Sequence, residues 1–263
     1  MRSSLRHFLP FGLVRALQLR AELVRIGINR SQATKLALRP ATRTELAHHN
    51  FDLLPDNGLA APECVIDIGT NLGDWTNALL ALCRPNRVLC VEPDPQLAVK
   101  LRARFQSHPS VEICETAIGD KSGIAGFNLM ESHVLNSLRA PTKSMDQLFP
   151  EAFRVRETIQ VKIQPLDALT ENIAHINLLK IDAQGFEREI IAGAKASLAK
   201  TDIVLLEINF QPHYEGEAGL FELDASMQQN GFCIGNYSSP KGGERQALFA
   251  DFLYVRKKNK PFA

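Results

Sequence analysis

The sequence has no long apolar run and few cysteines. Its longest apolar stretches, such as 77–83 and 203–206, fall far short of the roughly 18 residues that a membrane-spanning helix needs, so no transmembrane segment is expected. The five cysteines include no C-x-x-C pair and have no histidine at metal-ligand spacing. We therefore expect free structural thiols in a reducing, cytoplasmic setting.

The sequence also has little net charge, but the value of +1 conceals two segments of opposite sign. Residues 1–43 carry nine Lys and Arg against one acid, whereas the remainder holds 21 basic and 28 acidic residues. Apolar residues in the first segment recur at helical spacing. We expect residues 1–50 to form a basic helical cap or arm, with peripheral contact at a membrane surface as the alternative.

From residue 64 onward, short apolar runs alternate with helical patterns, which is typical of a doubly wound, mostly parallel sheet. The pattern predicts strands at 64–68, 87–91, 111–115, 176–182 and 203–208. It predicts helices at 74–82, 95–105, 186–199 and 220–229. The remaining strands are expected to form an inserted hairpin, whose loop reaches over the ligand site, and a terminal hairpin: 124–130 with 158–163, and 232–237 with 247–256.

The segment 65–76 (VIDIGTNLGDWT) predicts a nucleotide-type ligand site. A buried strand ends in Asp67, and a turn with Gly69 and Gly73 leads into a helix, so the backbone can approach a ligand there. The turn lacks the middle glycine that admits a pyrophosphate, and Asp67 would repel phosphates. A carboxylate in this position can instead accept hydrogen bonds from an ammonium group. This combination favours S-adenosylmethionine over a dinucleotide.

Three further strand ends extend the site. Glu92 follows Gly69 by 23 residues, close to the roughly 20 at which an acid binds a ribose, and Pro93 fixes the turn behind it. Thr116–Ile118, after the third strand, is placed to surround an adenine. Asp182 ends the strand of the KIDAQG segment, where it either faces the reacting centre or caps the next helix.

Together these stretches resemble the FkbM-type methyltransferases, a branch of the class I fold that uses S-adenosylmethionine. The resemblance covers roughly residues 64–257 and rests on VIDIGTNLGDWT, VEPDPQL, ETAIGDKSG, LLKIDAQGFEREIIAGA, LLEINFQPHYEG and ALFADFLYVRK. It departs from many members at Gln184, where they have Glu. The resemblance implies a class I methyltransferase domain at 51–263, with a Rossmann-like seven-stranded sheet whose last strand is antiparallel.

The resemblance also implies methyl transfer (EC 2.1.1.-) to a hydroxyl oxygen on a sugar, glycan or secondary metabolite. The expected partner is thus a small molecule or glycan and not a nucleic acid. With the motif positions, it gives these expected cofactor contacts: Asp67, Gly69, Thr70, Asn71, Gly73, Trp75, Glu92, Pro93, Thr116, Ala117, Ile118 and Asp182.

A hydroxyl nucleophile must lose its proton, so a general base is expected. Asp182 is the first candidate; His213 is the second, because histidine ordinarily titrates near neutral pH, and His133 is the third. Asp182 and Glu207 are also compatible with a divalent cation, but no third ligand is evident and we expect no metal. Two alternatives stay open: a non-catalytic module that binds S-adenosylmethionine, and an NAD-dependent oxidoreductase.

Overall fold

The computed structural model describes residues 53–54, 61–243 and 246–257, so the predicted basic segment 1–50 lies outside the described residues. The first half of the chain contributes β1 (Cys64–Ile68), α1 (Asp74–Leu82), β2 (Arg87–Val91), α2 (Pro95–Arg104), β3 (Val111–Cys114), β4 (Ala117–Ile118), β5 (Gly123–Met130), a 3₁₀ helix (His133–Leu135) and α3 (Lys143–Leu148). The second half contributes β6 (Val155–Gln164), α4 (Leu166–Leu169), β7 (Ile176–Ile181), α5 (Glu187–Ala192), α6 (Lys195–Ala199), β8 (Thr201–Asn209), α7 (Leu220–Gln229), β9 (Phe232–Tyr237), β10 (Lys241–Gly243) and β11 (Gln246–Arg256).

Five parallel strands form the centre of the larger sheet, in the order β3-β2-β1-β7-β8. Antiparallel β11 follows β8, and both β9 and the short β10 pair with β11. This arrangement confirms the predicted Rossmann-like sheet with an antiparallel last strand. The strand order reverses at β1, which has β2 on one side and β7 on the other, and such a switch point opens a crevice at the carboxyl ends of the strands.

A smaller, separate sheet contains the predicted hairpin. Strands β5 and β6 are antiparallel, and the two-residue β4, which the sequence did not predict, pairs parallel with β6. The connection between β5 and β6 carries the 3₁₀ helix and α3. Hydrogen bonds of this connection with Asn71 and Gln184 place it beside the carboxyl ends of β1 and β7.

The core lies on both faces of the larger sheet, since successive side chains of a strand point to opposite faces. Ile66 and Leu179 belong to the apolar cluster that includes residues of α5 and α7. Val65 and Leu178 belong to the cluster that includes residues of α1. This burial on both faces explains the continuous apolar runs of the central strands.

The five cysteines are free, and burial raises the pKa of Cys83 and Cys90 to about 12. These two thiols therefore stay protonated and act as small apolar groups. Within the described residues, no helix has the length and apolar character needed to cross a membrane.

The helix predicted over 186–199 is wrong as one element, because it divides into α5 and α6 at Gly193 and Ala194. Gly193 lies against the backbone that follows β4: a Cβ added to it would come within 2.0 Å of the carbonyl oxygen of Gly119. This close backbone approach is a tertiary constraint that helical periodicity does not reveal.

We expect Gly193→Ala to lower the free energy of unfolding by about 1–3 kcal/mol, since the new methyl group overlaps a backbone carbonyl that cannot move freely. Urea denaturation measures the change as a lower transition midpoint. Gly123→Ala is the matched control, because an added Cβ there meets nothing within 4 Å. Equal midpoints for the two variants would contradict the packing argument.

Candidate active site

A cavity opens at the carboxyl ends of β1, β2 and β7, where the strand order reverses. Residues of the 3₁₀ helix and of the loop after it, including His133 and Leu138, line the cavity from the hairpin side, as the predicted covering loop requires. Ten of the twelve expected cofactor residues line it: Gly69, Thr70, Asn71, Trp75, Glu92, Pro93, Thr116, Ala117, Ile118 and Asp182. Asp67, Gly73 and the candidate base His213 are not among its lining residues.

The turn after β1 packs directly against the end of β7. Gly69 has a φ of 76°, and a Cβ on it would come within 1.8 Å of the carbonyl oxygen of Asp182. Gly73 has a φ of 82° and precedes α1, where an added Cβ would lie 2.6 Å from the Phe105 ring. Gly73 therefore permits the packing of α1 against Phe105 and does not line the cavity.

Glu92 presents a buried carboxylate to the cavity. Only 3% of the residue is exposed, and its two oxygens accept the backbone N–H groups of Asn71 (2.8 Å) and Asp94 (2.9 Å). Burial raises its pKa to about 7, although the two backbone donors act in the opposite direction. Since each carboxylate oxygen can accept a second hydrogen bond, Glu92 retains acceptor capacity for a ligand.

A buried ion triad lies at the junction of β1 and β7. The Lys180 ammonium is 3.2 Å from Asp67 Oδ1 and 3.3 Å from Asp182 Oδ2, and the other Asp67 oxygen accepts the Thr76 hydroxyl at 2.7 Å. Burial by itself lowers the pKa of Lys180, but the charges of the two carboxylates raise it above its ordinary value. Asp67 is 0% exposed. The geometry therefore corrects its predicted role: Asp67 binds Lys180, and it is Lys180 and Asp182 that reach the cavity.

Gln184 joins the end of β7 to the end of β8. Its amide nitrogen donates to Asp182 Oδ1 (2.9 Å) and to Glu207 Oε1 (3.2 Å). Its side-chain oxygen lies 2.9 Å from the Tyr214 hydroxyl, which is also 2.9 Å from the Leu135 carbonyl oxygen and can donate to either. The side chain therefore connects two acids and a tyrosine at the cavity wall.

The turn at residues 182–187 has its own internal support. The Glu187 carboxylate accepts the N–H groups of Ala183 (3.0 Å) and Gly185 (3.2 Å). Burial raises the pKa of Glu187 to about 8. Gln184 and Gly185 both have a positive φ, of 51° and 92°, so these contacts hold the backbone in a conformation that is uncommon for a residue with a side chain.

Hydrogen bonds hold the covering loop, residues 131–142, against the rest of the site. Asn71 Nδ2 donates to the His133 carbonyl (2.9 Å), and Ser137 Oγ donates to the Gln184 carbonyl (2.7 Å). Arg139 donates to the Gly185 carbonyl (2.8 Å) and pairs with a Glu189 oxygen (2.8 Å). A further contact joins the Tyr214 hydroxyl to the Leu135 carbonyl oxygen (2.9 Å). The loop is thus held over the cavity by the same turns that form its floor.

The two candidate histidines occupy different environments. His213 is 7% exposed and lies edge-on to the Phe153 ring with centroids 6.0 Å apart, and burial lowers its pKa. Its position away from the cavity lining removes the geometric basis for a role as the base. His133 does line the cavity, as does Asp182, the first candidate for the base.

No group of three metal-ligating side chains occurs among the residues with described positions. Glu207 and Asp182 do approach a shared partner, but that partner is the Gln184 amide. Burial, followed by the charges of Asp182 and Asp251, raises the pKa of Glu207 well above its ordinary value. Glu207 therefore acts here as a hydrogen-bond acceptor for Gln184.

The sequence reasoning missed Lys180, Arg139 and Tyr214. A signal existed for Lys180, because a lysine within the apolar strand INLLKI must be buried beside a counter-charge. No comparable local signal marks Arg139 or Tyr214, whose partners lie far away in the chain.

Known proteins resemble this chain in sequence and in fold. The profile of the family described as Methyltransferase FkbM domain matches residues 67–234. A 2-O-methyltransferase, NoeI of Sinorhizobium fredii, is 29% identical over 165 residues, which are 59% of this chain and 67% of that protein. The crystal structure of methyltransferase FkbM from Methylobacillus flagellatus superposes with a TM-score of 0.51 at 13% identity.

That alignment covers 91% of this chain, which spans 59% of the length of the chain in the crystal structure. At this identity the likeness shows the fold alone. The family match, in contrast, includes the turn after β1, the end of β7 and most of the described elements, and it extends over more than half of the sequence. The chain therefore belongs to the FkbM methyltransferase domain family.

Proposed function

We propose that this methyltransferase takes S-adenosylmethionine as methyl donor and a hydroxyl of a sugar, a glycan or a related metabolite as acceptor. The observation that carries the proposal is the pairing of two carboxylates in one cavity, Glu92 at the end of β2 and Asp182 after β7. The family supports methyl transfer, and the relative with a 2-O-methyltransferase name supports an oxygen acceptor.

The donor groups of the cavity fit this cofactor. The Glu92 carboxylate can accept hydrogen bonds from the two hydroxyls of a ribose. The cavity wall formed by Thr116–Ile118 consists of one hydroxyl-bearing and two apolar side chains, which suits an adenine. The ion triad of Asp67, Lys180 and Asp182 carries two negative charges and one positive charge, so its net charge of about −1 complements a cationic ligand. The turn after β1 lacks the middle glycine that admits a pyrophosphate, and the Asp182 carboxylate beside that turn would repel phosphate groups, which disfavours a dinucleotide.

The bound cofactor supplies an electrophilic methyl group on a sulfonium. Asp182 takes up the proton of the acceptor hydroxyl while the oxygen–methyl bond forms and the sulfur–methyl bond breaks. The protein's main contribution is to hold the hydroxyl in line with the methyl group and to exclude water beneath the covering loop. His133, the third candidate from the sequence, remains the alternative base because it also lines the cavity, whereas His213 does not.

Cofactor binding is expected to depend on Glu92. Glu92→Gln should weaken S-adenosylmethionine binding about 10- to 100-fold, because hydrogen bonds to a charged group are worth about 1.5–3 kcal/mol. Isothermal titration measures the dissociation constant. Glu115→Gln is the control, since that partly exposed acid pairs with Arg102 outside the cavity. Similar losses in the two variants would contradict the assignment, as would tighter binding of NAD than of S-adenosylmethionine.

The same contact predicts a pH dependence. The pKa of Glu92 is raised to about 7, so the carboxylate is protonated below this pH and ionised above it. Only the ionised form accepts from both ribose hydroxyls, and binding should therefore strengthen as the pH rises from 6 to 8. Isothermal titrations across this range should show that the affinity of Glu92→Gln for S-adenosylmethionine lacks this rise with pH. A wild-type affinity that falls over the same interval would contradict ribose binding by the ionised Glu92 carboxylate.

The acceptor class can be tested with methyl glycosides that have a free 2-hydroxyl, each paired with its 2-deoxy analogue. With methyl-labelled cofactor, we expect label only on the glycosides that have a free 2-hydroxyl.

Asp182→Asn should lower the rate about 10²- to 10⁴-fold and leave the cofactor dissociation constant within about tenfold. Asp120→Asn, at a residue outside the cavity lining, is the control. A full rate in Asp182→Asn would remove this residue as the base, and cofactor binding without turnover on any glycoside would favour the non-catalytic module.

A further inference from the structure

We propose that Gln184 is a positioning residue for Asp182. Its uncharged amide holds the Asp182 carboxylate in place, whereas an acid at position 184 would be a third carboxyl group beside Asp182 and Glu207 and would share a proton with them. This inference rests on the proposed function, because it assigns a partner to the proposed base.

The hydrogen bonds require an amide at this position. One nitrogen carries two donors, and these meet Asp182 Oδ1 at 2.9 Å and Glu207 Oε1 at 3.2 Å. The side-chain oxygen faces the Tyr214 hydroxyl at 2.9 Å. The reverse orientation of the amide would place its oxygen against two acids, so the network itself fixes the orientation. A glutamate in the same place would offer no donor to either acid unless it carried a proton.

The backbone of Gln184 is fixed as well as the side chain. Its φ of 51° is uncommon for a residue with a Cβ, and its carbonyl accepts the Ser137 hydroxyl at 2.7 Å. A backbone in this region persists only where its surroundings over-determine it. The amide that contacts Asp182 therefore extends from a turn whose backbone conformation is fixed, as a positioning role requires.

The electrostatic surroundings make an uncharged side chain important here. Asp182 already accepts from Lys180 on its other oxygen, and that lysine is shared with Asp67. The remaining titratable groups that act on this cluster or line the same cavity are mostly acidic: Asp74, Glu92, Glu187, Glu207, Glu217, Asp251, Tyr214 and His133. An additional carboxylate would raise the proton affinity of the whole cluster, because like charges in a buried site favour protonation.

Two variants separate charge from hydrogen bonding. Gln184→Glu keeps the shape and adds a carboxylate, whereas Gln184→Met keeps the approximate length and removes both donors. Neither introduces a new backbone preference, since glutamate and methionine are unbranched at Cβ, like glutamine. Gln164→Glu, at the end of β6 and outside the cavity lining, is the control that adds the same charge elsewhere.

The first measurement is a ¹³C NMR titration of the side-chain carboxyls from pH 4 to 9, made without cofactor or acceptor. Asp182→Asn and Glu207→Gln identify the signals of the cluster. We expect its titration midpoint to rise by about one pH unit or more in Gln184→Glu and by less in Gln184→Met. It should stay within about 0.3 units of wild type in Gln164→Glu. Equal midpoints in wild type and Gln184→Glu, or an equal shift in Gln164→Glu, would overturn the inference.

The second measurement uses a methyl glycoside that the wild-type enzyme methylates. Gln184→Met should lower kcat about 10- to 100-fold with a nearly unchanged cofactor dissociation constant, because a base that is displaced by a fraction of an ångström loses its alignment. An unchanged kcat would refute the positioning role. If the NMR shift occurs but the wild-type enzyme methylates no glycoside, the sugar acceptor fails while the link between Gln184 and the acid cluster stands.

Discussion

The organisation of the site depends on a lysine ammonium held between two carboxylates. Lys180 lies on β7, Asp67 on β1, and Asp182 directly after β7, so the triad links the two central strands where the cavity opens. A buried charge without partners would cost several kcal/mol, which explains why each member has a defined contact. The two carboxylates of the triad differ in exposure: Asp67 is fully buried in the sheet, whereas 29% of the Asp182 side chain is exposed. The net negative charge is therefore presented to the cavity through one carboxylate.

The two turns that form the cavity floor behave as one packed unit. Gly69 lies against the carbonyl of Asp182 so closely that no Cβ fits, and the same turn places Asn71 beside Glu92 and the covering loop. The turn after β7 in turn accepts from Ser137 and Arg139 of that loop. A displacement of either turn would therefore shift Glu92, Asp182 and the covering loop together. Such coupling favours a preformed site, with the reacting groups aligned before a ligand enters.

The sheet, the inserted hairpin and most of the cavity wall could be predicted from the sequence, because they follow from local patterns: apolar strands, a glycine turn and acids at strand ends. The roles of Asp67 and Gly73 could not be predicted, since both residues contact the protein interior and not the cavity. Asp67 meets Lys180 from another strand, and Gly73 meets Phe105 of a later segment. His213 was a candidate because histidine ordinarily titrates near neutral pH, but it packs against Phe153 and Tyr214 and does not line the cavity. The decisive facts in each case are contacts between distant parts of the chain.

The surroundings of Asp182 also bear on how the enzyme would lower its barrier. One oxygen accepts from Lys180 and the other from Gln184, so the carboxylate is well stabilised as an anion. An alcohol is far less acidic than a carboxylic acid, and a proton taken up by Asp182 would displace the contact of the oxygen that receives it. Full removal of the hydroxyl proton before methyl transfer is therefore disfavoured. The proton is better accepted as the new bond forms, when the oxygen becomes acidic, and most of the acceleration must then come from alignment of hydroxyl and methyl group.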